Sequence, residues 1–183
     1  MAAEELVALY DDAGRECGAV QRSVMRAQNL RHAASSIVVR DSGGRVYLHR
    51  RTSTKDVYPG LLDFTAGGVV LAGEEPDVGA VRELAEELGI EGVPLVSFGV
   101  ADYADDATRY RAFRFCATWD GLIRWQPEEV AWGDWVTLDE LVRRIDDDPE
   151  TLMPDSVAVW RDTVRAWQAG ATGAEIPPAP DEG

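Results

Sequence analysis

The stretch from Gly67 to Ile90 constrains this chain more than any other part of it. Two adjacent glycines, Gly67 and Gly68, precede Val69-Val70-Leu71, and a Gly73-Glu74-Glu75-Pro76 break leads into Ala80, Val81, Leu84 and Leu88 at helical spacing. Proline in the first turn and Gly89 just past the last apolar residue supply start and stop signals, so a helix is expected over Pro76–Leu88. On that helix Glu83, Glu86 and Glu87 form one patch, because residues three and four apart are neighbours, while residues 80, 81, 84 and 88 turn toward a sheet. Taken alone, the three carboxylates read as a solvated acidic face, the ordinary fate of such a triplet in an acidic chain.

Around this helix the pattern is that of an α/β chain. Glu5–Tyr10 reads as a strand and Asp11-Asp12-Ala13-Gly14 as a turn, which predicts an amino-terminal β-hairpin. Residues 22–32 read as a short helix or an irregular connection. Ser36–Arg40 and Val46–Arg50 flank Asp41-Ser42-Gly43-Gly44, a second hairpin. After the Tyr58-Pro59-Gly60 turn, Leu61–Val70 reads as a strand whose glycines permit close backbone approach. Strands are expected at Leu95–Val100, Tyr110–Trp119 and Trp132–Thr137, and helices at Leu138–Ile145 and Val157–Trp167. The pattern predicts one domain over residues 1–169, with 1–32 as an amino-terminal extension, helices packed over a mixed sheet, and a proline- and glycine-rich flexible tail over 170–183.

Charge narrows the partners. Over 183 residues, 18 basic and 33 acidic side chains leave a net charge of −15, which repels polymeric nucleic acid and anionic membranes. A small anionic ligand stays compatible, since local cations overrule the sign of the whole surface. Cys17 and Cys116 stand far apart and no segment has the length and apolarity of a membrane span, so a soluble, cytoplasmic protein without a disulfide framework is expected. Lys55 is the only lysine in the chain, as expected where a compact cation is required or where one lysine simply persists in an arginine-rich composition.

The spacing across residues 68–90 changes the reading of the acidic triplet. Gly68, Glu74, Arg82-Glu83-Leu84, Glu86-Glu87 and Gly89-Ile90 match G-x5-E-x7-R-E-U-x-E-E-x-G-U, with U aliphatic, at every defined position. The chain therefore resembles a Nudix hydrolase, whose fold is an α/β/α sandwich around a mixed sheet. The resemblance implies metal-dependent cleavage of a diphosphate linkage, with Glu83, Glu86 and Glu87 as metal ligands and Glu74 as a supporting residue. Oxygen-only ligands suit Mg²⁺, or Mn²⁺, which then bridges the acidic patch and an anionic substrate. Arg82 has a scaffolding role toward Glu83 and Glu86. Either Glu83 or Glu87 takes the proton of the attacking water; the motif does not decide between them. Glu129, in Pro127-Glu128-Glu129-Val130, is similarly placed to an extra metal-binding glutamate of some members, and reads as a ligand or as a solvated loop charge. Gly67 and Gly68 let the backbone approach ligand or metal, or mark a strand bulge.

Upstream, Asn29-Leu30-Arg31-His32, Arg50-Arg51-Thr52-Ser53-Thr54-Lys55, Pro59-Gly60 and Leu62-Asp63 look like the isopentenyl-diphosphate-isomerase-like branch, and the resemblance spans roughly residues 4–145. It implies that Arg51 and Lys55 contact phosphate. The isomerase's Cys-x-His-Pro stretch is replaced by Gly67-Gly68-Val69-Val70, its metal histidines keep only His32, with Met25 and Val69 where others stand, and its glutamate region matches Thr108-Arg109-Tyr110. His32 reads as a structural hydrogen-bonder and His49 as a half-exposed strand residue. Trp119, Trp125 and Trp132 suit stacking on a base, the core or a partner interface. The leading expectation is hydrolysis of a small nucleoside-diphosphate-type or other organic diphosphate. An isopentenyl-diphosphate isomerase and a non-catalytic nucleotide sensor on the same fold are the rivals. A homodimer is expected from the extra amino-terminal segment and the aromatics.

Overall fold

Alternation of side chains along one buried strand sorts the molecule into layers. The computed structural model describes residues 4–171. Strands β1 (Leu6–Tyr10) and β2 (Glu16–Gln21) form the amino-terminal hairpin, followed by helix α1 (Arg22–Ala27). Next come β3 (His32–Arg40), β4 (Val46–Arg51) and the two-residue β5 (Leu62–Asp63), then helix α2 (Pro76–Leu88). β6 (Val96–Ala104), β7 (Arg109–Thr118) and β8 (Val130–Val136) precede helices α3 (Leu138–Asp147) and α4 (Pro154–Gln168). β3 pairs in parallel with β7 from His32–Tyr110 to Arg40–Thr118, while β4 is antiparallel to β8 and β6 to β7, so the sheet is mixed. Among the described residues no helix is long and apolar enough to cross a membrane.

Because successive side chains of a strand point to opposite faces, Ile37 and Val39 of β3 turn to one side and Val38 to the other. Ile37 and Val39 join Tyr47, Phe115, Ala80, Leu84 and Leu88 in a core under α2. Val38 joins Leu48, Phe64, Leu141, Trp160 and Val164 in a larger core under α3 and α4. This is the α/β/α sandwich the sequence predicts. Arg114 of β7 points into the larger core, where Nη1 donates to the Val159 carbonyl (2.8 Å) and Nη2 to the Phe98 carbonyl (2.6 Å), with the guanidinium 5.3 Å from the centre of the Trp160 ring.

Two expectations need correction. The strand expected over Leu61–Val70 is only Leu62–Asp63, followed by separate bridges that place Ala66 opposite Ile37 and Val69 opposite Ala34. Gly67 breaks the ladder: its φ is +145°, and a β-carbon there would lie 2.1 Å from the Ser35 carbonyl oxygen. On α2, Val81 is not buried with Ala80, Leu84 and Leu88 but 49% exposed, and Glu87 takes its place in the buried stripe. The helix is rolled so that the end of its acidic face, not Val81, meets the sheet.

His32 begins β3 in a fully enclosed position, its Nδ1 3.0 Å from the Leu30 carbonyl oxygen. This agrees with a structural hydrogen-bonder. Burial pushes its pKa down to about 4. The folded pKa is depressed, so the contribution to stability is complete above the unfolded value near 6.5 and is lost as pH falls from there toward 4, by about 3 kcal/mol in all. Urea unfolding of the wild type and of His32→Gln at intervals between pH 7 and 4 is expected to show a decline in the wild type that the variant lacks; parallel declines would refute the assignment.

Candidate active site

Arg82 gathers the acidic residues of α2 and of the loop before it. Its Nε and Nη2 donate to the two carboxylate oxygens of Glu74, each at 2.9 Å, and Nη1 donates to Glu83 (2.7 Å) and Glu86 (3.2 Å). Glu74 also accepts the Leu71 N–H at 3.0 Å, which ties the loop to the helix. The Arg82 hydrogen bonds hold the Glu74 carboxyl below its ordinary range, and Glu74 in turn raises the Arg82 pKa. Arg82 thus bridges carboxylates, the scaffolding geometry that the spacing suggests.

Glu83 and Glu87 meet the glycine turn. The Gly67 N–H donates to Glu87 at 3.0 Å, and a β-carbon on Gly68 would lie 2.5 Å from the Glu83 carboxyl carbon, so only glycine leaves that carboxylate its position. Burial raises the Glu83 pKa, partly offset by Arg82 and reinforced by Glu87 and Glu86. Glu87 is 7% exposed. Burial pushes its pKa up, yet His49, the Gly67 N–H and Lys55 outweigh that and hold it below the ordinary value. His49 is a correction: it is not half-exposed but 1% exposed, with Nε2 3.3 Å from Glu87, off the line of a hydrogen bond. Its strand position hid this contact, because β4 is covered by α2 on the face that His49 shares.

A cleft opens from Gly67 and Gly68 between α1, the loop after β4 and the start of α4. Four cations line it: Arg22 and Arg26 from α1, and Arg51 and Lys55 from β4 and its loop. Lys55 pairs with Glu129, which the structure therefore brings to the cleft lysine. Burial and Arg51 lower the Lys55 pKa. Arg51 donates to the Val57 carbonyl at 3.1 Å, leaving its Nε buried without a partner. Arg22 and Arg26 escaped the sequence reading although their four-residue spacing places both on one face of a helix. None of Trp119, Trp125 and Trp132 lines the cleft, nor does either cysteine.

The predicted site residues therefore fall into two adjoining groups, the Arg82-centred carboxylates and the Arg51–Lys55 cleft, joined by Gly67 and Gly68. Among the described residues no three acidic, histidine or cysteine side chains converge closely enough to enclose a metal; Arg82 draws Glu83 and Glu86 while Glu87 turns to Gly67. The donor chemistry nevertheless fits a hard divalent cation: Glu83 is a half-buried carboxylate whose neighbours Glu86 and Glu87 add negative charge, held in a cradle that a β-carbon would fill.

Comparison with known proteins agrees with this geometry. The NUDIX domain family matches residues 30–155. An uncharacterised Nudix hydrolase, orf19 of Rhodococcus erythropolis, is 40% identical over 170 residues, covering 87% of this chain and 92% of its own length. The uncharacterised Nudix hydrolase YfcD of Escherichia coli K12 is 39% identical over 163 residues, covering 87% and 88%. Among solved structures, DR0079 of Deinococcus radiodurans superposes with a TM-score of 0.70 at 22% identity, over 88% of this chain and 98% of that one. A Caenorhabditis elegans Ap4A hydrolase superposes with a TM-score of 0.55 at 16% identity, over 75% and 99%. At those identities the structural likeness is one of fold.

Gly68 offers a selective test, because the three atoms nearest to where a new methyl group would go all belong to the Glu83 carboxylate. Gly68→Ala is expected to weaken Mg²⁺ or Mn²⁺ binding on the order of tenfold or more while the thermal midpoint moves little. Titration calorimetry that found unchanged affinity would show that Glu83 does not hold the cation.

Proposed function

This chain belongs to the NUDIX domain family and is a pyrophosphohydrolase, and from that premise we propose that it cleaves the diphosphate linkage of a small organic or nucleoside-diphosphate-type substrate with Mg²⁺. The observation that carries the reading is contiguity: the Arg82-held carboxylates and the four-cation cleft share Gly67 and Gly68 as a common wall. Glu83, Glu86 and Glu87 would hold the cation. When bound, it supplies charge to offset the phosphate oxygens and lowers the pKa of a water.

The chain's own residues do the rest. Arg51 and Lys55 attract and orient the phosphates, and the unpaired Nε of Arg51 is a donor that the protein leaves unused. Arg82 and Glu74 fix the carboxylate cluster without touching substrate. Glu87, whose carboxyl its neighbours hold below the ordinary range, or Glu83 would accept the proton of the attacking water. Glu129, paired with Lys55, serves as that lysine's counter-ion and becomes available to a cation once phosphate takes its place.

The isomerase-like branch remains the proposed origin of the loop sequences around Arg51 and Lys55. Isomerase chemistry is disfavoured because, among the described residues, no cysteine lines the cleft. Mass spectrometry over nucleoside diphosphate sugars, ADP-ribose, dinucleoside polyphosphates, coenzyme A, nucleoside triphosphates and isopentenyl diphosphate tests the reading. Hydrolysis of at least one compound is expected, lowered on the order of 10³-fold by Glu87→Gln. Formation of dimethylallyl diphosphate would instead show an isomerase, and Mg²⁺-dependent binding without turnover a sensor.

A further inference from the structure

The inner end of the cleft carries chemistry that phosphate binding does not use. Asp63, 4% exposed, lines it, and all three of its hydrogen bonds fall on one oxygen: Oδ1 accepts from the Thr65 N–H (2.9 Å), the Thr65 hydroxyl (3.0 Å) and the Ser156 hydroxyl (2.7 Å). Among the described residues nothing donates to Oδ2. Asp155, from the first turn of α4, lines the same wall, and its Oδ2 accepts the Tyr110 hydroxyl at 3.0 Å. Burial, reinforced by the Asp63 charge, raises the Asp155 pKa to about 6. The partners of both carboxylates are hydroxyls and backbone N–H groups, so two acidic side chains stand side by side in the interior without a direct cationic partner.

Asp63 lines the cleft, so a ligand that fills it displaces water from Oδ2 and leaves the carboxylate desolvated unless the ligand donates a hydrogen bond in return. Because Thr65 and Ser156 fix Oδ1 and the backbone of β5 fixes the side chain's root, Oδ2 is pre-oriented. An ammonium group would enter past Arg22, Arg26, Arg51 and Lys55, whose positive charge opposes it. A hydrocarbon group would seal Oδ2 away from water and give nothing back. A neutral hydroxyl satisfies both constraints.

We infer that the organic group of the substrate is hydroxylated, sugar-like rather than isoprenoid, and that Asp63 Oδ2 with Asp155 beside it accepts its hydroxyl hydrogens while the phosphates face Arg51 and Lys55. The inference rests on the diphosphate reading above for the orientation of the ligand. Asp63 is then a specificity-determining residue: a site built to accept a hydrogen bond rejects an analogue that lacks the donor far more strongly than an apolar pocket rejects a change of shape.

Binding of two monophosphates at millimolar concentration tests this without relying on turnover. D-ribose 5-phosphate presents hydroxyls beside its phosphate and butyl phosphate does not. Titration calorimetry on the wild-type full chain is expected to show at least about a tenfold preference for ribose 5-phosphate. Asp63→Asn keeps an acceptor for Thr65 and Ser156 but turns an amide N–H₂ toward the cleft, so the ratio of the two affinities is expected to fall toward one, whatever the lost negative charge adds to the binding of both phosphates. Asp155→Asn, which leaves Tyr110 a partner, is the second variant and is expected to reduce the preference. Equal affinities in the wild type, or a preference that survives in an Asp63→Asn protein that melts as the wild type does, would overturn the inference. Should Asp63→Asn not fold, the wild-type comparison and Asp155→Asn decide. Hydrolysis of the diphosphate panel, followed in parallel, fails only if the hydrolase reading is wrong.

Discussion

One guanidinium makes the rest of this site possible. Glu74, Glu83 and Glu86 converge on one edge of α2 and repel one another, the more so because Glu74 and Glu83 are only partly open to water. Arg82 answers with a planar fork that meets Glu74 on two oxygens while reaching Glu83 and Glu86 with its third nitrogen. A lysine ammonium, a single point of charge, has no such reach. Through Glu74 the same contact fastens the loop after Leu71 to α2, and that fixes how closely Gly67 and Gly68 press on Glu87 and Glu83.

The net charge of −15 and a cleft lined by four cations are reconciled by placement. The acidic excess is spread over the surface, whereas the positive side chains of the cleft come from separate elements: α1 contributes two, β4 and its loop two more. The helix that follows the amino-terminal hairpin is thus part of the cleft wall. Low dielectric walls around such a cluster sharpen its local potential, so the sign felt by an approaching anion differs from the sign of the molecule.

Much of this was legible in the sequence. Helix α2 runs from Pro76 to Leu88 as the proline and Gly89 indicate, and the strands around it lie within a few residues of their expected places. The spacing from Gly68 to Ile90 pointed to the carboxylates and to Arg82. What the linear pattern did not reveal depends on pairing between distant segments. His49 sits on a strand whose alternation says only that one side is covered, not that Glu87 covers it. Asp63 and Asp155 are far apart in sequence, and Asp155 beside Pro154 reads as an ordinary residue of a helix start until β5 and α4 are brought together. Leu61–Val70 has the composition of a strand, but the contact of Gly67 with Ser35 breaks it into bridges.

Arg114 gives the cleft floor an unusual fastening. Helix α4, which carries Asp155 and Ser156, is held to β7 by a buried cation whose counter-charges are the carbonyls of Val159 and Phe98 and the face of an indole ring. None of these acceptors titrates. Carboxylate-based joints, such as that of Asp155 with Tyr110, loosen as a compartment acidifies, but this one is indifferent to protons and keeps α4 on β7 when the other weakens. The cleft floor thus has one fastening that protonation weakens and one that it leaves untouched.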